Sequence, residues 1–331
     1  MKFAFFGCGS IGQRHIRNLL DLGYSDFCAF RTKKGHYKSI PSDLKIIEFD
    51  DWNDIIDYNP DVAFITNPTS EHIKTAVKIA PYVKGIFIEK PLSNTTKGFK
   101  ELEQIVNKYQ LITFVGYNLL YHPVIKLIHE KIKDGSLGKP IIFQCNLGQW
   151  LPDWHPYENY KKAYYARKDL GGGISFTMIH EINLARMLLG PVKNVFAFMP
   201  KSEKLDLPVD VIADIMIYHL NESVSQIHLD CIQKVKNRSG FISFENGWCS
   251  YDLVESSLLM KTELDEKAQV LLHNSNYNPD EMYKEEQSLF LEMLNACQLK
   301  HANDIWEAKK DLEIVEAAHI SSSSINYMKF N

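Results

Sequence analysis

A chain of 331 residues is long enough for two domains of ordinary size. Its net charge of −4, without a long basic block, gives no indication of nucleic-acid binding, and no apolar run reaches the about 18 residues that span a bilayer. The six cysteines are scattered and form no C-x-x-C pair, which argues against a structural zinc site or a disulfide framework. We therefore expect a protein of the reducing cytoplasm with no metal and no membrane partner.

Short apolar segments alternate with amphipathic helices through the first third of the chain. The segment KFAFF runs straight into a glycine-rich turn and then into a helix that stops near Gly23. Strands and helices that alternate in this way form right-handed crossovers and a parallel, doubly wound sheet. The predicted strands are 2–6, 27–31, 44–49, 61–66, 85–90 and 111–117.

The pattern changes after about residue 120. From Pro140 onward the predicted strands are longer, and a hairpin is expected at Asn221-Glu222. One helix over 174–190 interrupts them, and two more helices close the chain. We predict an α/β fold: a dinucleotide-binding domain over 1–119, and an α+β domain over 120–331 with a large, mostly antiparallel sheet open on one face.

The glycine turn, Gly7-Cys8-Gly9-Ser10-Ile11-Gly12, is a candidate dinucleotide cradle. It follows a predicted strand and opens a predicted helix, which is the context that the G-x-G-x-x-G pattern requires. In such a cradle Gly7 makes the tight turn, Gly9 lets the backbone approach a pyrophosphate, and Gly12 lets the helix pack on the strand. Ser10 and Ile11 start the helix, whose N-terminus attracts phosphate. The alternative is a chance glycine turn.

The end of the second strand indicates which dinucleotide is preferred. An NAD site normally has Asp or Glu there to accept hydrogen bonds from the ribose, but this chain has Arg31-Thr32-Lys33. Arg31 can bind a 2′-phosphate with two hydrogen bonds and Lys33 adds charge. The sequence therefore favours NADP, with NAD as second choice; a solvated basic loop is the alternative.

Four further segments occur in an order typical of one family. They are ITNPTSEH, IEKPLSNT, VGYNLLYHPV and GGGISFTMIHEINLARMLLG. In this order they resemble the Gfo/Idh/MocA oxidoreductases, and the resemblance covers nearly the whole chain. It implies a Rossmann domain, a nicotinamide cofactor and a sugar or sugar-derivative substrate. It also implies a homodimer or homotetramer formed through the open sheet of the second domain.

The resemblance also implies roles for individual residues. Glu89-Lys90-Pro91 matches the family's E-K-P, whose lysine lies beside the nicotinamide and the reacting carbinol. A lysine at the carboxyl end of a strand can stabilise developing alkoxide charge, although a solvent-exposed lysine is the alternative. The remaining cofactor residues implied are Thr66, Pro68 and His72 beneath the cofactor, and Asn118 where cofactor and substrate meet.

His180 is the second candidate catalytic residue, as a general acid or base. In relatives with the form G-G-G-x-x-x-D-x-x-H-E, Thr177 takes the position of an aspartate, and i, i+3 spacing on one helix would point it the same way as His180. Asn183 also stands where relatives often have Asp. These departures put a simple Asp–His proton shuttle in doubt, and a hydrogen-bonded core histidine is the alternative.

An aromatic segment over 149–173 is the candidate substrate surface. Flat rings with polar tips suit a pyranose or a base, and cations suit a carboxylate or phosphate. A protein–protein interface uses the same residue types. The candidates are Trp150, Trp154, Tyr157, Tyr164 and Arg167, together with Thr177 and His180.

We predict an NADP(H)-dependent enzyme that oxidises or reduces a secondary carbinol or ketone of a sugar. Similar W-L-P-D-W-H-P-Y segments in relatives suggest an acidic or nucleotide-linked sugar, as in nucleotide-sugar or nonulosonic-acid biosynthesis. Two alternatives stay open: a redox-neutral epimerase or glycosidase that retains its cofactor, and a non-catalytic NADP-sensing protein.

Overall fold

The computed structural model describes residues 1–32, 39–156 and 158–324. The chain divides into two compact units: Met1–Asn118 with Pro279–Lys310, and Leu119–Asn278 with Asp311–Asn331. This division differs from the predicted split after residue 119, because 279–310 belongs to the first unit.

The first unit contains a six-stranded sheet whose strands all run parallel, in the order β3-β2-β1-β4-β5-β6. The order reverses between β1 and β4, so the sheet is wound in both directions from that point. The predicted doubly wound sheet is confirmed. Its strands are β1 Phe3–Phe6, β2 Phe27–Phe30, β3 Ile47–Phe49, β4 Val62–Ile65, β5 Gly85–Glu89 and β6 Ile112–Gly116.

The helices of the described residues vary in length from one turn to five turns. In chain order they are α1 Ser10–Asp21, α2 Trp52–Tyr58, α3 His72–Ile79, α4 Phe99–Tyr109, α5 Pro123–Asp134, α6 Ile174–Thr177, α7 His180–Leu189, α8 Asp280–Asn295 and α9 Ile305–Ser323.

A row of four phenylalanines crosses the parallel sheet in register. Phe5, Phe64, Phe87 and Phe114 pair strand to strand, and their neighbouring rings stack with centroids 4.8–5.4 Å apart. Phe290 of α8 packs edge-on or tilted against the last three rings, with centroids 5.6–6.1 Å apart. This apolar contact explains why the chain after residue 279 belongs to the first unit.

The second unit contains an eight-stranded sheet in the order β14-β13-β12-β11-β7-β10-β9-β8. The β7–β10 pair is parallel and the others are antiparallel, which confirms the predicted class and the hairpin at Asn221-Glu222. Strands β13 and β14, at one end of the sheet, were not predicted. The strands are β7 Pro140–Gly148, β8 Val192–Phe198, β9 Ile212–His219, β10 Val224–Asp230, β11 Asn237–Phe244, β12 Gly247–Asp252, β13 Ser257–Thr262 and β14 Gln269–His273.

Burial alternates along the central strands of this sheet, so one face is exposed. One cross-strand row on that face is continuous from edge to edge, and we call it the outer row. It consists of Phe196, Met216, Gln226, Gln144, Phe241, Ser250, Leu259 and Val270.

The prediction of a single helix over 174–190 is wrong. The chain forms α6 and α7, separated by Met178 and Ile179. Thr177 Oγ1 donates to the Gly173 carbonyl oxygen at 2.7 Å, a local hydrogen bond of the kind that favours helix ends. The i, i+3 argument that placed Thr177 and His180 on one helix face therefore does not hold. Across the described ranges, every helix is too short or too polar to cross a membrane.

Candidate active site

The glycine turn leaves no room for side chains. Gly7 has φ +108°, and a Cβ there would lie 2.6 Å from main-chain atoms of Thr66 and Asn67. A Cβ on Gly12 would overlap the Gly7 carbonyl oxygen. Thr66 Oγ1 donates to that same oxygen at 2.5 Å, so the end of β4 is tied to the turn. These contacts are the structural reason for glycine at both positions.

The N-terminus of α1 suits an anion. Gly9 is its N-cap, no side chain of the described residues caps the helix, and no acidic residue occupies its first turn. Ser10 is exposed and Ile11 is half-buried, so the first amides lie near the surface. Amides without helix partners and the positive end of the helix dipole bind phosphate. The turn therefore fits the pyrophosphate of a dinucleotide.

Arg31 has a carboxylate partner on the neighbouring strand. Its Nη1 lies 3.0 Å from Glu48 Oε2 of β3, and its side chain is buried whereas Glu48 is exposed. Both residues act on Cys8 in the glycine turn: burial raises the pKa of the Cys8 thiol to about 12, Arg31 opposes that rise and Glu48 adds to it. Arg31 and Glu48 thus lie close to the turn. Thr32 is exposed, and Lys33 lies outside the described residues.

Glu89 fixes the main chain at Lys90. Its Oε1 lies 2.6 Å from His15 Nε2 of α1, and its Oε2 accepts from the Lys90 backbone N–H at 3.2 Å. Gln287 of α8 contacts His15 Nδ1. Glu89 and His15 are buried, whereas Lys90 is half-buried at the carboxyl end of β5. The Lys90 backbone is therefore held through a chain of buried polar contacts.

His72 holds the other side of Lys90. Its Nδ1 lies 2.9 Å from the Pro91 carbonyl oxygen and its Nε2 lies 2.8 Å from the Asn67 carbonyl oxygen. The ring is 2% exposed, and burial lowers its pKa, which favours the neutral form. His72 thus links the chain after β4 to the chain after β5, whose Lys90–Pro91 peptide is cis. Pro68 is half-buried, and Asn118 is buried two residues after β6.

In the second unit, His180 is the first residue of α7 and is buried. The next residue, Glu181, accepts from Arg238 Nε of β11 at 2.7 Å. Asn183 Nδ2 donates to Asp311 at 2.8 Å, and Arg186 Nε donates to the same carboxylate at 2.6 Å. Asn183 therefore belongs to a buried ion-pair cluster that anchors α7.

The triple glycine lets the chain approach α6 closely. A Cβ on Gly172 would lie 2.5 Å from the Tyr164 carbonyl oxygen, and one on Gly173, at φ +129°, would overlap Asp210. Asp210 accepts from the Ser175 backbone N–H at 2.8 Å and so satisfies the start of α6.

The aromatic segment is partly engaged within its own unit. Trp154 Nε1 donates to the Gln149 carbonyl oxygen at 3.2 Å, and Lys234 Nζ lies 3.3 Å from the centre of the Trp150 ring. Trp154 and Thr177 line one cavity of about 10 Å³, which is room for about one water and not for a sugar. Tyr164 is 40% exposed and Arg167 pairs with Asp169; Tyr157 lies outside the described residues.

Several polar residues of the site were not found by sequence reasoning. All but Glu286, whose oxygens have no hydrogen-bond partner among the described residues, bond to a residue well separated along the chain, and no motif links the two positions. These residues are His15, Glu48, Glu181, Asp210, Arg238, Glu286, Gln287 and Asp311.

Family models match both parts of the chain. Residues 1–117 match the oxidoreductase family with an NAD-binding Rossmann fold, and residues 125–249 match the GFO/IDH/MocA C-terminal domain. Together the two matches cover most of the 331 residues.

Two curated relatives act on inositols. Scyllo-inositol 2-dehydrogenase (NAD(+)) of Bacillus subtilis (strain 168) is 29% identical over 195 residues, which is 57% of this chain and 54% of that protein. Myo-inositol 2-dehydrogenase of Thermotoga maritima is 26% identical over 210 residues, 60% of this chain and 58% of that one. The matched region thus spans less than two thirds of these relatives.

Solved structures share the fold across the whole chain. Levoglucosan dehydrogenase in complex with NADH has a TM-score of 0.86 at 17% identity, over 98% of this chain and 97% of that one. UDP-N-acetylglucosamine 3-dehydrogenase from Acidithiobacillus ferrooxidans has a TM-score of 0.78 at 16% identity, over 98% of both. At these identities the likeness concerns the fold.

Proposed function

Because the chain belongs to the GFO/IDH/MocA oxidoreductase family, we propose that it transfers hydride between a nicotinamide dinucleotide and a secondary carbinol or ketone of a sugar or polyol. The observation that carries this proposal is Lys90, whose main chain is held by Glu89 on one side and by the His72–Pro91 contact on the other. The names of the relatives and structural neighbours support the substrate class: inositols, levoglucosan and UDP-N-acetylglucosamine.

Lys90 and His180 are the two groups that we propose for the hydroxyl chemistry. Lys90 donates a hydrogen bond to the carbinol or ketone oxygen and stabilises alkoxide charge as it develops. Because the backbone at Lys90 is fixed, the side chain loses less conformational entropy when it takes up that position. His180 accepts the hydroxyl proton on oxidation and returns it on reduction, because an imidazole titrates near neutral pH. A bound nicotinamide supplies or accepts the hydride.

The test is turnover of a panel of alcohols by the purified protein. The panel contains myo-inositol, scyllo-inositol, levoglucosan, UDP-N-acetylglucosamine and a uronic acid, each with NAD⁺ and NADP⁺. Lys90→Met should lower kcat about 100-fold with cofactor affinity unchanged, because one transition-state donor is lost while the pyrophosphate site at the glycine turn remains.

Lys97→Met is the matched control, since Lys97 is exposed on the same loop. His180→Asn should remove most activity and flatten the pH–rate profile. Normal turnover by Lys90→Met would show that Lys90 is a surface lysine, and an unchanged profile for His180→Asn would make His180 structural.

The proposed cofactor preference is NADP(H), supported by Arg31 and Thr32 at the end of β2. The Glu48 carboxylate competes with a 2′-phosphate for Arg31, since the two side chains are 3.0 Å apart. We therefore expect NADPH to bind about tenfold more tightly than NADH, which corresponds to about 1.4 kcal/mol.

Glu48→Gln should increase that ratio, because the Glu48 carboxylate no longer competes with a 2′-phosphate for Arg31. Glu101→Gln, an exposed acid on α4, is the control. Fluorescence titration of both reduced cofactors measures the ratio. NADH binding as tight as NADPH in the unmodified protein would assign Glu48 to the ribose hydroxyls and overturn the preference.

The proposed substrate is an acidic or nucleotide-linked sugar, supported by the aromatic segment and by Arg167. Tyr164 and Arg167 are exposed beside the triple glycine, where a ring and a cation can contact a ligand. The substrate panel decides between classes. Higher kcat/KM on neutral inositols than on the uronic acid and the nucleotide sugar would exclude this substrate choice and leave the redox activity standing.

The proposed assembly is a homo-oligomer formed through the open sheet. Four apolar members of the outer row are 38–66% exposed: Phe196, Met216, Leu259 and Val270. They form one pair at each end of the row, and the members between the two pairs include Gln226, Gln144 and Ser250. A second copy of the same face is the partner that the family resemblance implies, and the exposed apolar side chains gain stability when that copy covers them.

A further inference from the structure

Glu286 is a buried carboxyl group without a hydrogen-bond partner in the part of the chain that the structure describes. It is 0% exposed on α8, and neither carboxylate oxygen is bonded. One oxygen each of Glu286 and Glu89 and a ring nitrogen of His15 all lie within 4.8 Å of one another. Two carboxylates this close in a buried place repel and lack solvation. The cluster therefore requires a compensating proton or cation.

The contact between His15 and Glu89 decides between these two. His15 Nε2 and Glu89 Oε1 are 2.6 Å apart, which is a direct hydrogen bond. Two ligands of one metal ion, each about 2.1 Å from it, lie roughly 3.4 Å apart in a tetrahedral site. The other His15 nitrogen already contacts Gln287. The geometry thus fits a proton better than a metal ion.

We propose that Glu286 is a positioning residue for Lys90, because a proton shared between Glu286 and Glu89 keeps the Glu89 carboxylate on His15 and on the Lys90 backbone N–H. Without that proton, repulsion from Glu286 would push Glu89 away from both partners. The effect on turnover rests on the proposed function of Lys90, whereas the shared proton does not.

The charges around the cluster agree with this assignment. Burial, and after it the Glu89 charge, raise the pKa of Glu286 well above its usual value, while Lys90 opposes the rise. On the same helix, burial raises the pKa of Tyr283 to about 12, so its hydroxyl is neutral. Arg14 of α1 lies 4.8 Å above the Tyr283 ring and pairs with Asp280, so its charge is directed to another carboxylate.

The first test compares two replacements of similar size. Glu286→Gln keeps a donor toward Glu89, whereas Glu286→Leu fills the space without one. We expect kcat within about threefold of the parent for Gln and at least about tenfold lower for Leu, with cofactor affinity unchanged in both. Glu292→Gln, an exposed position on the same helix, is the control. Equal activity of the Gln and Leu variants would show that Glu286 only fills space and would overturn the proposal.

The second test reads the proton directly in the cofactor-free protein. The infrared spectrum of the parent at neutral pH should contain the carbonyl stretch of a protonated carboxylic acid. This band should be absent from the spectrum of Glu286→Gln and present in that of Glu292→Gln. The same band in both variants would overturn the proposal, and so would a stoichiometric metal in elemental analysis. If no alcohol is turned over, the proposed function fails, and the infrared result still decides where the proton lies.

Discussion

The two sheets of this protein make their polar side chains available in different ways. In the parallel sheet, β1, β4, β5 and β6 are buried along their whole length, so polar chemistry begins only where a strand ends. In the antiparallel sheet, every second residue of strands such as β9 faces outward. The first sheet thus presents its polar groups at one edge, and the second presents them over a whole face.

This difference also determines what holds the functional groups. At the edge of the parallel sheet, Lys90 is positioned through the main chain, by Glu89 and by the His72–Pro91 contact. On the open face, strand register sets where the side chains lie, as in the outer row, where Gln144 Nε2 also donates to Gln226 Oε1 at 2.6 Å. We therefore expect changes near the glycine turn to affect the first unit strongly, and single changes on the open face to affect assembly more than folding.

The largest expected effect is that of Gly7→Ala. Gly7 and Gly23 both have positive φ, +108° and +89°. A Cβ on Gly7 would lie 2.6 Å from main-chain atoms, whereas no atom of the described residues lies within 4 Å of a Cβ on Gly23. Gly23→Ala should cost about 1 kcal/mol from backbone strain alone. Gly7→Ala should cost about 3 kcal/mol or more and abolish cofactor binding. Urea unfolding and cofactor titration of both variants measure the difference; equal costs would contradict the close approach.

A change on the open face tests whether single substitutions there affect assembly more than folding. Met216 is 47% exposed on β9, where it lies between Phe196 and Gln226 in the outer row. Met216→Lys should weaken self-association at least about tenfold, because a charge would be buried in the interface. Leu264→Lys is the control, at a position 97% exposed between β13 and β14. Sedimentation over a range of concentrations measures the effect, and unchanged association would exclude the open face as the interface.

The parallel sheet could be predicted from the sequence because each strand is a short apolar run between helix and turn signals. The glycine turn was found for the same reason, since its spacing and its place after β1 are local. Polar contacts between distant segments could not be predicted. Glu89 and His15 are 74 positions apart, and Gln287 and His15 are 272 positions apart. Spacing along the chain carries no signal for such pairs.

The prediction of the second unit from the sequence relied more on the resemblance to a family than on the periodicity of apolar residues. Apolar spacing over 174–190 predicted one helix, but the Thr177 side chain bonds to Gly173 and the helix ends there. Asn183 stands where relatives often have Asp, and its Nδ2 donates to Asp311, which is 128 positions away. In both cases a short polar side chain bonds to a partner that a helical pattern does not reveal.

The smallest expected effect is a pH dependence on the open face. His228 of β10 lies 2.6 Å from Asp214 and 3.2 Å from Asp230, and these carboxylates, Asp230 first, raise its pKa to about 9. An unfolded histidine has a pKa of about 6.5, so the contribution of the charged ring to stability is complete below that pH and is lost as the pH rises through about 9. His228→Asn should therefore lower the denaturation midpoint at pH 6 and leave it unchanged at pH 10. Solvent reduces the size of this effect, because the side chain is 35% exposed.

His129→Asn, at an exposed position on α5, is the control for His228→Asn and should show no such pH trend. A pH-independent difference between His228→Asn and the parent would mean that packing, and not charge, is what His228 contributes.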